Sequence, residues 1–345
     1  MLAALLCVGA GLARAGADDE RLPLDRPALA VRHPRQVALL AMALAGRRVV
    51  AVGERGVVLQ SDDRGAHWTQ AAVPASVTLT AVRFVDDRNG WACGHGGVLL
   101  HTEDAGRTWT KQADGRTLAR QAAGQLQAGA QGTPAAILKV LAEPLADKPL
   151  LDLAFADARE GFAVGAYGLF VRTRDGGRSW QLASAALPNP KALHLNAIVV
   201  RGRFVLVAGE QGSVFVSNDG GDSFEAVAAP YRGSFFAAAL AEDGTVALAG
   251  LRGNLVLGRA HGSTWSALKL PTDAGVTVLD AGARELRAGA QDGQLFAIDA
   301  ASGEVRVLPR RAPPMLTSWV DVGTAFPLTA GLHGIAPDPS SPQTD

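Results

Sequence analysis

Residues 82–109 read Val82-Arg83-Phe84-Val85-Asp86-Asp87-Arg88-Asn89-Gly90-Trp91-Ala92-Cys93-Gly94-His95-Gly96-Gly97-Val98-Leu99-Leu100-His101-Thr102-Glu103-Asp104-Ala105-Gly106-Arg107-Thr108-Trp109. Short apolar runs alternate here with glycine-rich and acidic turns, which is the pattern of successive antiparallel strands. The same succession occurs at 52–68, 165–180 and 209–224, where Gly-x-x-Gly is followed by Ser/Thr-x-Asp-x-Gly and then Trp or Phe. Weaker copies begin at 250, 290 and 331. The seven starts, 53, 94, 165, 209, 250, 290 and 331, are separated by 41, 71, 44, 41, 40 and 41 residues. A recurrence of roughly 40–45 residues is the length of one four-stranded propeller blade. The chain is therefore expected to be all-β, a seven-bladed β-propeller over 28–337.

Inside one unit, Leu79 to Val85 suits a first strand, Gly90 to Gly94 a second and Val98 to Leu100 a third. The Gly-x-x-Gly link makes a tight turn in which glycine permits positive φ. The Ser/Thr-x-Asp-x-Gly-x-Ser/Thr-Trp element turns the chain into the fourth strand. Its Asp can accept backbone N–H groups within the turn, and its Trp can bury a large surface between sheets. The residues assigned to these corners are Ser61, Asp63, Gly65 and Trp68; Thr102, Asp104, Gly106 and Trp109; Thr173, Asp175, Gly177 and Trp180; and Ser217, Asp219, Gly221 and Phe224. They are read as architecture, so the four aspartates are not catalytic acids.

The last unit stops soon after Gly334, with 338–345 a polar tail, and lacks an outer strand. Ala28 to Arg32 is expected to supply that strand and close the ring, removing an exposed sheet edge. The one long step contains an insertion, 111–148. Arg116 to Leu126 carries apolar residues at 118, 122 and 126, a helical spacing. Thr133 is expected to cap a second helix with Pro134 in its first turn, running from Ala135 to Leu141 and ended by Pro144. Strand alternation places this helical hairpin on the same face as the Gly-x-x-Gly loops and puts the corners on the other face. Function on such a scaffold sits on loops. The candidate partner-binding residues are accordingly Arg55, His95, Tyr167, Glu210, Gln211, Arg252, Asp292 and His333.

Forty glycines and 18 prolines with 19% charged residues agree with many tight turns. Lys plus Arg and Asp plus Glu both number 33, so there is no basic excess to displace counterions from nucleic acid. The apolar run Met1 to Leu12 is too short to span a bilayer. Small residues follow at 13–17, before Asp18-Asp19-Glu20, as after a signal peptide, although no Lys or Arg precedes the run. Residues 1–17 are read as a cleaved export signal and the location as periplasmic. Cleavage leaves Cys93 alone, unable to form an internal disulfide, and its apolar setting suits a buried thiol. The seven histidines show no paired ligand spacing, so neither metal nor cofactor is expected.

The Ser/Thr-x-Asp-x-Gly-x-Thr-Trp corner is similar to the Asp-box of bacterial neuraminidase repeats, where its role is structural. Taken with the Gly-x-x-Gly strand pairs, and best at 82–109, the chain from 36 to 334 resembles the photosystem II stability/assembly factor family of seven-bladed propellers. The resemblance implies a non-catalytic, exported, monomeric scaffold whose partner is a membrane protein or envelope complex. The insertion and the Ala/Arg-rich composition are closer to the non-photosynthetic bacterial branch, which is associated with RND-type exporters. Photosynthetic members carry an arginine-rich patch; Arg55 and Arg252 in loops and Arg83 in a strand form only a thin version of it. The rival reading is a sialidase. That chemistry needs three arginines on the substrate carboxylate, a Tyr–Glu nucleophile pair and an acid Asp. Only Tyr167 and Tyr231 exist as tyrosines, and no Arg-Ile-Pro signature accompanies them.

Overall fold

The computed structural model describes residues 22–129, 132–143, 147–261, 264–282, 285–309, 312, 314–324 and 327–336. Each repeat unit forms one antiparallel sheet with its strands in chain order. The seven sheets span 39–70, 79–113, 150–182, 195–226, 235–269, 276–307 and 316–335; the first six have four strands and the last three. They are blades 1 to 7 of a β-propeller. The second strand of a blade is packed on both faces. Gly90–Gly94 and Phe204–Gly209 are buried at every position, which is why they read as continuous apolar runs rather than alternating ones. Three of the outer strands, Thr69–Gln70, Gln181–Leu182 and Glu225–Ala226, have only two residues each, which keeps the exposed edges short.

One irregularity recurs in all seven blades: the register between the first two strands shifts at the entry to the first, as between Leu39 and Ala41 or Leu79 and Ala81. The glycine that opens the loop in every blade but the sixth, where Ala290 stands, faces this bulge. A Cβ on Gly94 would lie 2.1 Å from the Thr78 carbonyl oxygen. Positive φ belongs to the other end of the loop, at Gly97 (φ +64). The two glycines of the motif therefore have different causes, close approach for the first and left-handed backbone for the second.

The Ser/Thr-x-Asp corners form one hydrogen-bond circuit repeated in blades 1 to 4. In blade 2 the Thr102 hydroxyl donates to Asp104 (2.8 Å) and accepts the Gly106 N–H (2.9 Å). Asp104 also accepts the Thr108 N–H and hydroxyl. The Trp109 indole donates to the Gly106 carbonyl, and its ring is buried beside Val50 and Val52 of blade 1. Ser61–Asp63–Gly65–Trp68 repeats every bond of this set except that His67 replaces Thr108. Thr173–Asp175–Gly177 and Ser217–Asp219–Gly221 repeat the hydroxyl and carboxylate bonds. Trp180 instead donates to Gln112 of the preceding blade, and Phe224 is buried without a polar handle. These N–H donors hold the Asp63 carboxyl down at about 2, the His67 backbone amide contributing most.

The 28–32 segment does not become the outer strand of blade 7, which has three strands among the described residues. The Ala28 N–H donates to the Val73 carbonyl (3.0 Å), and the Gln70 side chain takes the Val31 N–H and donates to the Leu29 carbonyl. The segment is thus a strap over the outer end of blade 1. Pro27 and Pro34 bracket it and supply no N–H for a ladder. The ring closes by direct packing of blade 7 on blade 1: the Met42 N–H donates to the Ser318 hydroxyl (2.9 Å), and the Thr317 hydroxyl to the Leu39 carbonyl (2.7 Å).

The insertion holds two helices, α1 (Gly115–Gln127) and α2 (Ala135–Ala142), which pack together as a hairpin through Leu118, Ala122, Leu138 and Leu141. α1 is capped by Asp114, whose side chain accepts the Arg116 and Thr117 N–H groups. Thr133 does not cap α2. Pro134 takes the cap position with extended backbone, its carbonyl accepting from Ile137 and Leu138, and the Thr133 hydroxyl is buried without a partner. Proline's fixed φ makes it the junction residue here, which displaces threonine one position outward. Gln121 and Gln125 of α1 bond to the Trp180 and Leu182 backbone, so the helix covers the open edge of blade 3. The expected export signal at 1–17, the helix stop at Pro144 and the polar tail at 338–345 lie outside the described residues.

Candidate functional site

Antiparallel succession puts the second-to-third-strand loops and the blade-to-blade links on one face, and the corners on the other. The hairpin joins the loop face as expected: α1 and α2 pack beside the loops at His95–Gly97 and Ala166–Gly168. In blades 1 to 5 the third residue of the loop sits in the left-handed region, and in four of these it is a bulky side chain. Arg55 has φ +52, Tyr167 +58, Gln211 +54 and Arg252 +54. Left-handed backbone costs an L-residue roughly 1–2 kcal/mol, so these four side chains are held out at a cost in stability. All four are exposed, and Arg55, Gln211 and Arg252 make no side-chain hydrogen bond among the described residues. Tyr167 meets only the edge of His194, with ring centroids 5.1 Å apart.

The remaining predicted residues separate from this group. Glu210 is turned inward and accepts the His194 N–H at 2.8 Å, as Glu54 accepts the Ala38 N–H in blade 1. Asp292 accepts the Thr272 hydroxyl and the Gln294 N–H, both at 3.0 Å. The His95 ring is bonded to Asp147, which also takes the Gly96 N–H. His333 is exposed. Glu210, Asp292 and His95 therefore shape the loops, while Arg55, Tyr167, Gln211, Arg252 and His333 face solvent. The reading by residue type missed Asp147 and His194. The recurrence of Gly-Glu-x-Gly at 53–56 and 209–212 was the available sign that glutamate there serves the turn.

The first strands line a central channel of about 790 Å³. Arg83 and Asp152 form an ion pair in its wall (3.0 Å), and Asp152 also accepts the Ile198 and Leu153 N–H groups. Burial pushes the Asp152 carboxyl up and Arg83 draws it back. Arg83 is thus committed to a wall contact and does not extend a patch with Arg55 and Arg252. Tyr167 and Tyr231 stand apart in role: the Tyr231 hydroxyl accepts the Leu251 N–H (3.1 Å) and its ring packs on Phe235. The corner aspartates are distributed one per blade, each spent on its own turn. Among the described residues, no three His, Cys, Asp or Glu side chains are placed to hold a metal ion. Cys93 is fully buried, and burial pushes its thiol up to about 12.

Comparison with known proteins agrees with this geometry. The chain resembles in fold a solved structure described as YCF48 bound to D1 peptide (TM-score 0.61, 14% identity, covering 92% of this chain and 94% of that one). It is similar to YCF48 from Cyanidioschyzon merolae (0.62, 15% identity, 88% and 95%) and to the WD40 β-propeller domain of Doa1 (0.59, 12% identity, 91% and 95%). At these identities the likeness shows the fold alone. A curated relative, photosystem II assembly lipoprotein Ycf48 of Synechococcus sp. (strain CC9902), is 35% identical over 74 residues, which is 21% of this chain and 22% of that protein. The family model described as photosynthesis system II assembly factor YCF48 matches residues 28–126 and 136–300. That match covers most of the length, and the chain belongs to the YCF48 family of photosystem II assembly factors.

Proposed function

We propose that this protein is an exported, non-catalytic, monomeric assembly factor whose loop face holds an extramembrane segment of a membrane protein while a larger envelope complex is put together. One observation carries the reading: four bulky side chains are kept on left-handed backbone at the channel mouth, exposed and largely without partners in their own chain. Strained positions persist where they serve a purpose, and glycine would relieve each of them. One relative of the same fold is described with a bound D1 peptide, and another is described as a lipoprotein; both agree with work at a membrane outside the cytoplasm. The finer reading places the chain in the periplasm, with an RND-type exporter as the complex served.

The test is site-specific photo-crosslinking in native envelope membranes. A photoreactive residue at Tyr167 or Arg252 is expected to capture a membrane protein, with the adduct mapping to one of its extramembrane segments. The same residue at Arg178, on the corner face, is expected to capture none. Equal capture from both faces, or adducts to soluble proteins only, would remove the assignment. Adducts to a membrane complex other than an exporter would correct the partner and keep the role.

A further inference from the structure

Charge and apolar surface are distributed unequally between the two faces. Five exposed cations stand around the loop face: Arg35, beside the loop of blade 7; Arg55; Lys191 and Arg232, on blade-to-blade links; and Arg252. None of the five side chains has a hydrogen-bond or ion-pair partner among the described residues. The carboxylates of this face are mostly consumed: Glu54, Glu210 and Asp292 by backbone and Thr272, and Asp147 by His95. Asp273 and, at the end of α2, Glu143 are left exposed. On the opposite face, arginines stand among carboxylates; Arg48 pairs with Asp62 and Arg259 with Asp243, while Arg47 and Arg64 are exposed without an ion pair among the described residues.

Part of the exposed large apolar surface follows the same division, although Leu44 lies beside the blade 1 corner and Val307 on the outer strand of blade 6. Tyr167, Leu251 and Leu332 lie in loops of blades 3, 5 and 7, and Met315 lies on the link whose carbonyl accepts the Leu332 N–H. Each is between 39% and 44% exposed. They are spaced around the disc rather than gathered in a groove. α2, packed beside the Tyr167 loop, adds Lys139 and Val140 on its exposed side. Scattered apolar tips on one flat face, each near a cation without a partner, match the two-part interaction of peripheral proteins with a bilayer surface. Cations meet the acidic headgroups, while Tyr and Leu settle at headgroup depth.

We propose that the loop face docks flat onto an anionic lipid surface, with Arg35, Arg55, Lys191, Arg232 and Arg252 on the headgroups and Tyr167, Leu251 and Leu332 entering the interface. The occupant is the bilayer itself. Docking and segment binding draw on the same side chains, Arg55, Tyr167 and Arg252, so the two occupy this face in turn; vesicles contain no protein and report docking alone.

The full chain is sedimented with vesicles of phosphatidylcholine alone and of phosphatidylcholine mixed with phosphatidylglycerol. Preferential binding to the anionic vesicles is expected, lost at an ionic strength of about 1 M, where screening acts within ~3 Å. The variant carrying Arg55→Gly, Arg232→Gln and Arg252→Gly should bind anionic vesicles about fivefold more weakly for each cation removed. Two of these changes also relieve left-handed backbone, so the fold is kept. Leu251→Ser with Leu332→Ser should shorten residence on the vesicles without altering the preference for anionic lipid. The corner-face control, Arg64→Glu with Arg178→Glu, should bind as the parent does. All variants share one N-terminal segment, so differences between them report the loop face. Equal binding to neutral and anionic vesicles would overturn the proposal. So would binding insensitive to the loop-face variants, or binding abolished by the corner-face control.

Discussion

The two faces of the disc use similar side chains in opposite ways. On the corner face, Asp63, Asp104, Asp175 and Asp219 are each satisfied by neighbours within four residues in sequence, and the backbone conformation is what they stabilise. On the loop face, the side chains of Arg55, Gln211 and Arg252 make no hydrogen bond or ion pair among the described residues, and each sits on left-handed backbone. Repetition in the sequence therefore marks architecture, and the positions that vary inside the repeat mark the surface available for recognition.

The contrast can be broken most severely at Trp109. Trp109→Ala should cost about 3–5 kcal/mol, through a cavity between blades 1 and 2 and the loss of one of the two hydrogen bonds to the Gly106 carbonyl, which Gln60 still serves. Denaturant titration measures it, and a loss under about 1 kcal/mol would mean the corner tryptophans are not holding adjacent sheets. Asp219→Ala comes next, at about 2 kcal/mol, since its carboxylate accepts from the Ser217 and Ser223 hydroxyls and the Asp222 and Ser223 amides. Neither change should alter loop-face crosslinking; a variant that stays folded but no longer crosslinks would show that the faces are coupled.

Acid sharpens the comparison further. Asp63 is held at about 2, below its ordinary value, by the His67 amide and its other donors. Its contribution is complete above the ordinary carboxylate range and is lost as pH falls from about 4 through 2. The Asp104, Asp175 and Asp219 carboxyls are lowered as well. Asp152 and Asp280 in the channel wall are raised by burial and act in the opposite sense. The corner carboxylates outnumber them, so thermal melts should show stability declining across that window. A flat profile would mean that these bonds persist equally in the unfolded chain. The smallest effect is expected at Arg252→Gly, a gain of up to about 1 kcal/mol from relief of left-handed strain. A loss of similar size instead would mean that Arg252 belongs to the architecture.

Blades 1 to 4 were legible residue by residue because their corner chemistry is local. A hydroxyl, a carboxylate and a glycine within five positions leave a pattern in the sequence. Blades 5 to 7 were legible only by spacing. In blade 6, Asp299 accepts the Ala301 and Ser302 N–H groups, but Ala297 stands where the other corners carry the hydroxyl two residues before the aspartate. In blade 5, the Trp265 indole is buried without the bond that Trp68 and Trp109 make. The strands persist there because burial of apolar runs on both faces suffices. The helical insertion was placed on its face by strand parity alone, yet its fastening to the edge of blade 3 through Gln121 and Gln125 left no sign, since an exposed-looking glutamine does not reveal its partner. Of the eight rim residues, only Glu210 carried a sign of its role, the recurring Gly-Glu-x-Gly; Asp292 and His95, which also serve the loops, could not be separated from Arg55, Tyr167, Gln211, Arg252 and His333, which do not.

Period, blade number and the identity of the corners were settled by the order of residues, because these depend on contacts within a few positions and on alternation along a strand. How the ring closes was settled only in three dimensions. A strand-like run between two prolines found its hydrogen bonds with Gln70 and Val73, and blade 7 met blade 1 through contacts between residues 276 and 278 positions apart. Competition between distant partners for the same backbone groups has no local signature, so that choice belongs to the folded chain.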